Sequence, residues 1–290
     1  MIYYILIFLA AFGSALNFAV TKVYQLKMGN EMETGVVFNC LVGLFGSVIY
    51  FVVSGFKVEL TLFSVIVAAL FTLFVGSYTI IGFKIMSLGS MAVYTVFLML
   101  GGMILPYFYG LFFLSEELTF KKVIALVLMI VAIIMQNDGE KKKGKALFYI
   151  LCVSVFILNG LTSVASKVHQ IYPQFDTVSN NGFVLLKNLM RFLMFGAMIP
   201  FVRKKETRVF AMNLKLYILI VCSACLSSVA YFFQLVSASF LPATVQFPVM
   251  SGGTIVFTAI LGMICFKEKI SKKQTLCLIM CVVSTIIFVI

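Results

Sequence analysis

Two short stretches decide how this chain is read: SEELTFKK, Ser115 to Lys122, and FKEKISKK, Phe266 to Lys273. Each is a knot of charge between long apolar runs, such as MLGGMILPYFYGLFFL before the first and VIALVLMIVAIIM after it. Laid on one another, Glu117 falls on Glu268, Lys121 on Lys272 and Lys122 on Lys273, each pair 151 residues apart. At the same spacing, Gly101-Gly102 falls on Gly252-Gly253, Ser77 on Ser228 and Ala92 on Ala243. Nearer the start of each half, TKVYQ (Thr21 to Gln25) matches SKVHQ (Ser166 to Gln170), and Lys22 lies 145 residues before Lys167. The shorter spacing leaves the second half about six residues longer after that point, and QIYPQFDT, with Pro173 and Asp176, accommodates them.

The composition explains the oil around the knots. Of 290 residues, 62% are hydrophobic and 11% charged, against about 25% charged in a soluble domain. A globule of this size cannot hide so much apolar surface, so the chain lies in lipid. The runs lack the alternation of a barrel strand, which leaves helices. Reading apolar runs against polar breaks gives ten spans, near 2–21, 34–54, 61–84, 89–113, 120–137, 146–166, 178–201, 214–236, 242–265 and 274–290. Met1 opens directly onto IYYILIFLAAFG with no basic leader, so that stretch is read as the first span. The fold class expected is all-α integral membrane, with ten transmembrane helices in two five-helix repeats, residues 1–138 and 146–290, joined by a polar linker at 139–145. Five is odd, so the copies cross the membrane in opposite senses, an inverted-repeat architecture that places a substrate site near the midplane.

The net charge of +12 is a topology signal, and no nucleic-acid partner is expected. Sixteen of the 22 basic residues fall on the face holding loops 1–2, 3–4, 5–6, 7–8 and 9–10; four (Lys57, Lys121, Lys122, Lys167) fall on the other. Cytoplasmic loops carry the basic excess, which places both termini outside. The seven cysteines sit in apolar runs, and Cys222-Ser-Ala-Cys225 reads as small-residue packing in mid-helix. One histidine, His169, and acids almost confined to loops leave no cluster for catalysis or metal binding. No enzyme activity, cofactor or metal is expected, and Glu116, Glu117 and Glu268 read as structural anchors.

The helix count, the repeat, a lysine closing the first helix of each half and Glu-x-Leu-Thr-x-x-Lys between helices 4 and 5 together resemble the drug/metabolite transporter superfamily. Within it, the chain looks like the EamA family of ten-helix metabolite exporters. The resemblance implies a central chamber lined by both halves, with helices 5 and 10 further out. It also implies a small-molecule substrate, a bacterial inner or plasma membrane location, a monomer or homodimer, and termini in the cytoplasm, against the charge count. The four-helix branch of that superfamily carries an embedded glutamate in its first helix. Ser14 and Asn159 stand at that position in the two halves here, which argues against proton-coupled export of cations.

Ionisable groups inside a span are functional candidates. Lys187 and Arg191 stand four apart in helix 7 and share one face. Two readings stay open: a cationic face gripping a substrate carboxylate or phosphate, or a pair satisfied by backbone carbonyls and water. No carboxylate is expected within any span to pair with them. Further substrate-binding candidates are Asn17, Tyr78, Tyr94, Asn159, Tyr231 and Gln246, each with helix-to-helix packing as the alternative. Lys22 and Lys167 are candidates for a gate, with snorkelling to headgroups the alternative. Gly101, Gly102, Pro106, Gly252, Gly253 and Pro248 are candidates for helix bending or close approach. The function expected is secondary transport, by alternating access, of a small anionic or zwitterionic metabolite such as an amino acid. A lipid-intermediate flippase of the same fold and a non-transporting membrane scaffold are the alternatives.

Overall fold

The structure is a computed structural model describing residues 1–29, 31–88, 91–135, 146–172, 174–202, 213–267 and 271–290, without the side chains of 83, 86–88 and 91–93. Glu268, Lys269, Pro173, the linker 139–145, the basic residues Arg203, Lys204, Lys205 and Arg208, and the side chain of Ala92 lie outside it. Ten helices follow the ten apolar runs: α1 Ile2–Met28, α2 Met32–Val53, α3 Leu62–Leu88, α4 Met91–Phe113, α5 Phe120–Met135, α6 Ala146–Ile171, α7 Asn180–Val202, α8 Leu214–Ala238, α9 Ala243–Phe266 and α10 Lys272–Val289. In lipid a helix satisfies its own backbone polar groups, so each apolar run stays helical until polar residues meet water. Among the described residues, nine helices are long and apolar enough to cross a membrane; α5 has 16 residues. The protein is an all-helical, multi-pass integral membrane protein.

The structure corrects three expectations. Helix α1 runs past Lys22 to Met28, and α6 past Lys167 to Ile171. Neither lysine ends its helix, because Tyr24 and His169, one turn or less beyond, are buried and hold the extra turn in place. Helix α2 starts at Met32, so Glu33 lies in its first turn and is buried: a carboxylate does enter a span.

The most extensive pairings are α2 with α7, α1 with α8, and α4 with α6; α6 also packs on α3, α1 on α9, α5 on α10, α4 on α9, α3 on α7, and α2 on α8. Successive helices cross in opposite senses. Both chain ends and the turns after α2, α4, α6 and α8 therefore share one face, called here the terminal face. Ser237 Oγ near the end of α8 donates to the Tyr3 carbonyl at the start of α1, 3.2 Å away, on that face. The last turns of α1, α3, α5, α7 and α9 and the first turns of α2, α4, α6, α8 and α10 lie at the opposite face, called here the basic face.

Small residues set the closest crossings. A Cβ on Gly43 would stand 2.6 Å from the Phe192 backbone nitrogen, and one on Gly46 2.8 Å from the Asn188 amide, so α2 and α7 touch backbone to backbone. Gly101 faces the Phe156 carbonyl, which brings α4 onto α6. Helices α5 and α10 pack on each other and against α4 and α9. Their buried residues join Ile7, Met103, Tyr107 and Val249 in one apolar cluster, and a second cluster gathers residues of α2, α3, α7 and α8 around Phe183, Leu186 and Leu235.

Candidate functional site

Helix α7 carries the site. The crossing at Gly43 and Gly46 presses Asn188 between α2 and α8, where its Nδ2 donates to Ser228 Oγ at 2.9 Å. Tyr50 donates to the Ser228 carbonyl from the other side, at 3.1 Å. With Asn188 fixed in this way, the neighbouring face of α7 carries Phe183, Lys187 and Arg191, at steps of four residues and roughly 6 Å of rise each.

Arg191 lies against a cavity of about 280 Å³ whose wall also includes Asn17, Thr21 and Tyr24 of α1, Asn39 of α2, Thr79 of α3 and Tyr94 of α4. Gln25, Gly29 and Glu31 line its other end, so it points toward the basic face. The guanidinium is positioned. Asn39 Nδ2 donates to the Gly35 carbonyl at 2.7 Å, which turns Asn39 Oδ1 to accept from Arg191 Nη2. Arg191 Nε is buried and has no hydrogen-bond partner among the described residues. A fork with spare donors beside hydroxyl, amide and aromatic walls suits a carboxylate with a small organic body. A wider cleft of about 670 Å³, lined by Glu31, Glu33 and Met198 among others, sits at the rim of the same face, away from Lys187.

Lys187 does not line the cavity. It is 7% exposed, and its ammonium stands 3.9 Å above the centre of the Tyr231 ring. The two cations share a helix face, as their spacing requires, but the structure does not bring their charged groups onto one another: Arg191 reaches toward α2 and Lys187 toward α8. Tyr231 is held by Ser166 of α6, hydroxyl to hydroxyl at 2.9 Å.

The remaining candidates divide into wall and frame. Tyr78 and Tyr94 both pack against the buried cluster of Ile85, Phe148, Cys152 and Val155. Asn17 accepts from Ser223 Oγ at 2.6 Å, tying α1 to α8 beside the cavity. Asn159 Nδ2 donates to the Leu98 carbonyl at 2.6 Å, next to Gly102, and so joins α6 to α4. Gln246 is fully buried and donates to the Gln234 carbonyl at 3.0 Å. Gly252 faces Met129 and Thr285, and Gly253 faces Ala11, so this pair packs α9 between α5, α10 and α1. Helices α4 and α9 run unbroken through Pro106 and Pro248. Lys22 is exposed and stands 4.5 Å over the Phe266 ring.

Lys167 has another kind of place. It is buried, and its Nζ donates to the carbonyls of Ala238 and Leu241, both at 2.6 Å, where α8 ends. Glu116, from the first charge knot, accepts from the Ala243 and Thr244 N–H groups at 2.6 and 2.8 Å, where α9 begins. A cation on the last carbonyls and a carboxylate on the first N–H groups satisfy the orphan ends of both helices and match their dipoles. Glu59 caps α7 similarly, accepting from Ser179 N at 2.6 Å. His169 meets Ser64 of α3 at 2.9 Å and stacks on Phe183 at 3.8 Å. The terminal face is thus tied shut across α3, α6, α7, α8 and α9, while the cavity points to the basic face.

Asn39 orients Arg191 but reads in the sequence as one polar residue in a span among many. Glu59, Ser64 and Ser179 are loop or helix-end residues that gain a role only through partners more than a hundred positions away.

No family model matches the chain, and no curated protein matches it in sequence. Solved structures do match. One, described only as a protein, superposes with a TM-score of 0.75 at 12% identity, over 97% of this chain and 95% of its own. At that identity the likeness is one of fold.

Proposed function

We propose that the protein is a secondary transporter of small anionic or zwitterionic metabolites, of amino-acid size, working by alternating access in a bacterial cell membrane. The observation that carries the reading is the positioned Arg191 fork on a one-sided cavity whose far end is tied shut. Two further features support it. The main helix pairings have counterparts five helices along: α1–α8 with α6–α3, α4–α6 with α9–α1, and α3–α7 with α8–α2. That is the pattern expected of two inverted five-helix repeats, as in the drug/metabolite transporters of the EamA kind that the sequence resembles. The cavity, at about 280 Å³, is also just below the range of roughly 300–1,000 Å³ typical of drug-sized ligands. It is small for a lipid-linked saccharide, which favours a metabolite over a flippase substrate.

The test is uptake into proteoliposomes of each of the twenty amino acids and of small mono- and dicarboxylates. At least one carboxylate-bearing solute should accumulate, and Arg191→Gln should reduce its kcat/KM by at least about tenfold, the value of one lost charge-assisted contact. If nothing crosses above protein-free vesicles, or if Arg191→Gln transports like the native protein, the reading is wrong.

A further inference from the structure

One stripe of α7 presents three residues in order from the terminal face: Phe183, Lys187 and Arg191. Arg191 lies on the cavity open toward the basic face. Phe183 is fully buried and stacks on His169 in the terminal-face tie. Lys187 lies between them, one turn beyond the cavity floor and one turn beneath the plug. Its ammonium makes no hydrogen bond to any described residue; its one close partner is the face of the Tyr231 ring at 3.9 Å. A cation taken out of water this completely is poorly compensated by an aromatic ring alone. Its three N–H donors bond no described residue, between the cavity and the Phe183–His169 stack.

We infer that Lys187, with Ser166 and Tyr231, forms a second anion subsite, serving the terminal face. It rests on the transporter reading above and extends it. A carboxylate entering from the basic face is held at Arg191. When the terminal face opens, with Phe183 and His169 parting, the carboxylate moves one helical turn and is held at Lys187. The Ser166 hydroxyl then donates to it in place of bonding Tyr231, and the ring that now covers the ammonium gives way to the anion. Each conformation thereby presents one cation to the accessible side. The ligand class is a small organic carboxylate.

The test needs no identified substrate. Ser166→Cys places a thiol at the subsite while leaving Lys187 intact, and Phe183→Ala opens the plug. The double variant in sealed vesicles of known orientation is treated from each face with two membrane-impermeant methanethiosulfonates, one bearing a sulfonate and one a trimethylammonium group. Labelling is read at the introduced cysteine by peptide mass spectrometry, so the native thiols do not interfere. The sulfonate reagent should react from the terminal face about tenfold faster than the cationic one, the enrichment a buried cation gives to an anion, and Lys187→Gln should erase the difference. Tyr231→Cys in the same Phe183→Ala background is a second reporter should Ser166→Cys not fold. Reaction only from the basic face, no reaction from either face, or equal rates for the two reagents overturns the subsite. Arg191→Cys, labelled from the basic face, is the control: if it fails to react, the cavity reading itself has failed, whereas its success beside a failed subsite leaves that reading standing.

Discussion

At the scale of single residues, the turn between α8 and α9 has the most testable chemistry. Lys167 comes from α6 and Glu116 from the turn between α4 and α5, in different halves of the chain, yet one holds the end of α8 and the other the start of α9. Each contact is charge-assisted and shielded, where a lost partner leaves buried backbone groups unsatisfied. Lys167→Met and Glu116→Gln should each lower stability by about 1–3 kcal/mol, read as a fall in the thermal unfolding midpoint of the purified protein in detergent. Unchanged midpoints for both variants would show that the clamp contributes nothing to the fold. Asn39→Ala belongs to the same scale. It should leave the midpoint nearly unchanged, because Arg191 lies on a cavity large enough for water to replace the lost contact, but should weaken transport by freeing the guanidinium to turn. Native transport by that variant would deny Asn39 its positioning role.

At the scale of elements, backbone approach between helices is the controlling quantity. Helices in lipid have no hydrophobic drive toward one another and associate through close packing at small residues. Gly43 is such a point: a methyl group there would meet the Phe192 backbone nitrogen at 2.6 Å, and backbone cannot swing aside. Gly196 on the partner helix is not, since its nearest neighbour would be Cys40 Sγ at 3.7 Å. Gly43→Ala should therefore destabilise the protein by about 1–3 kcal/mol through overpacking, and Gly196→Ala should be close to neutral. The contrast is measured by thermal unfolding of both variants, and equal effects would refute it. Because α7 is set by this crossing, a shifted Gly43→Ala helix should also lose transport beyond what its stability explains.

At the scale of the whole molecule, the faces differ in charge and in closure. Among the described residues, Lys22, Lys27, Lys84, Lys215, Lys267, Lys272 and Lys273 lie toward the basic face and Lys57, Lys121, Lys122 and Lys167 toward the terminal face, and the sequence count of sixteen against four runs the same way. On the positive-inside bias the basic face is expected in the cytoplasm and both termini outside. The cavity that ends at Gln25, Gly29 and Glu31 would then open inward. A reporter active only in the cytoplasm, fused after Ile290, should give no signal. A strong signal would reverse the orientation and make the described state outward-open, with the family resemblance, rather than the charge count, correct about the termini.

What the sequence determines by itself is whatever depends on local composition: ten apolar runs give ten helices, because a lipid-embedded backbone has few other ways to satisfy itself. The charge knots and the matched glycines likewise mark related positions at one spacing. Helix ends were less legible, since Lys22 and Lys167 look like boundaries in the sequence, while buried Tyr24 and His169 carry the helices further. The pairing of Lys187 and Arg191 on one face followed from helical spacing alone. Their separation into a cavity cation and one buried under an aromatic ring did not, because it depends on Asn39 and Tyr231, on other helices. Only the tertiary structure decided that Glu116 and Lys167 cap two helix ends, that Glu59 and Ser64 tie the terminal face, and that the cavity points to the other side. Each of these is a contact between residues far apart in the chain, and nothing in the local pattern of either partner specifies the other.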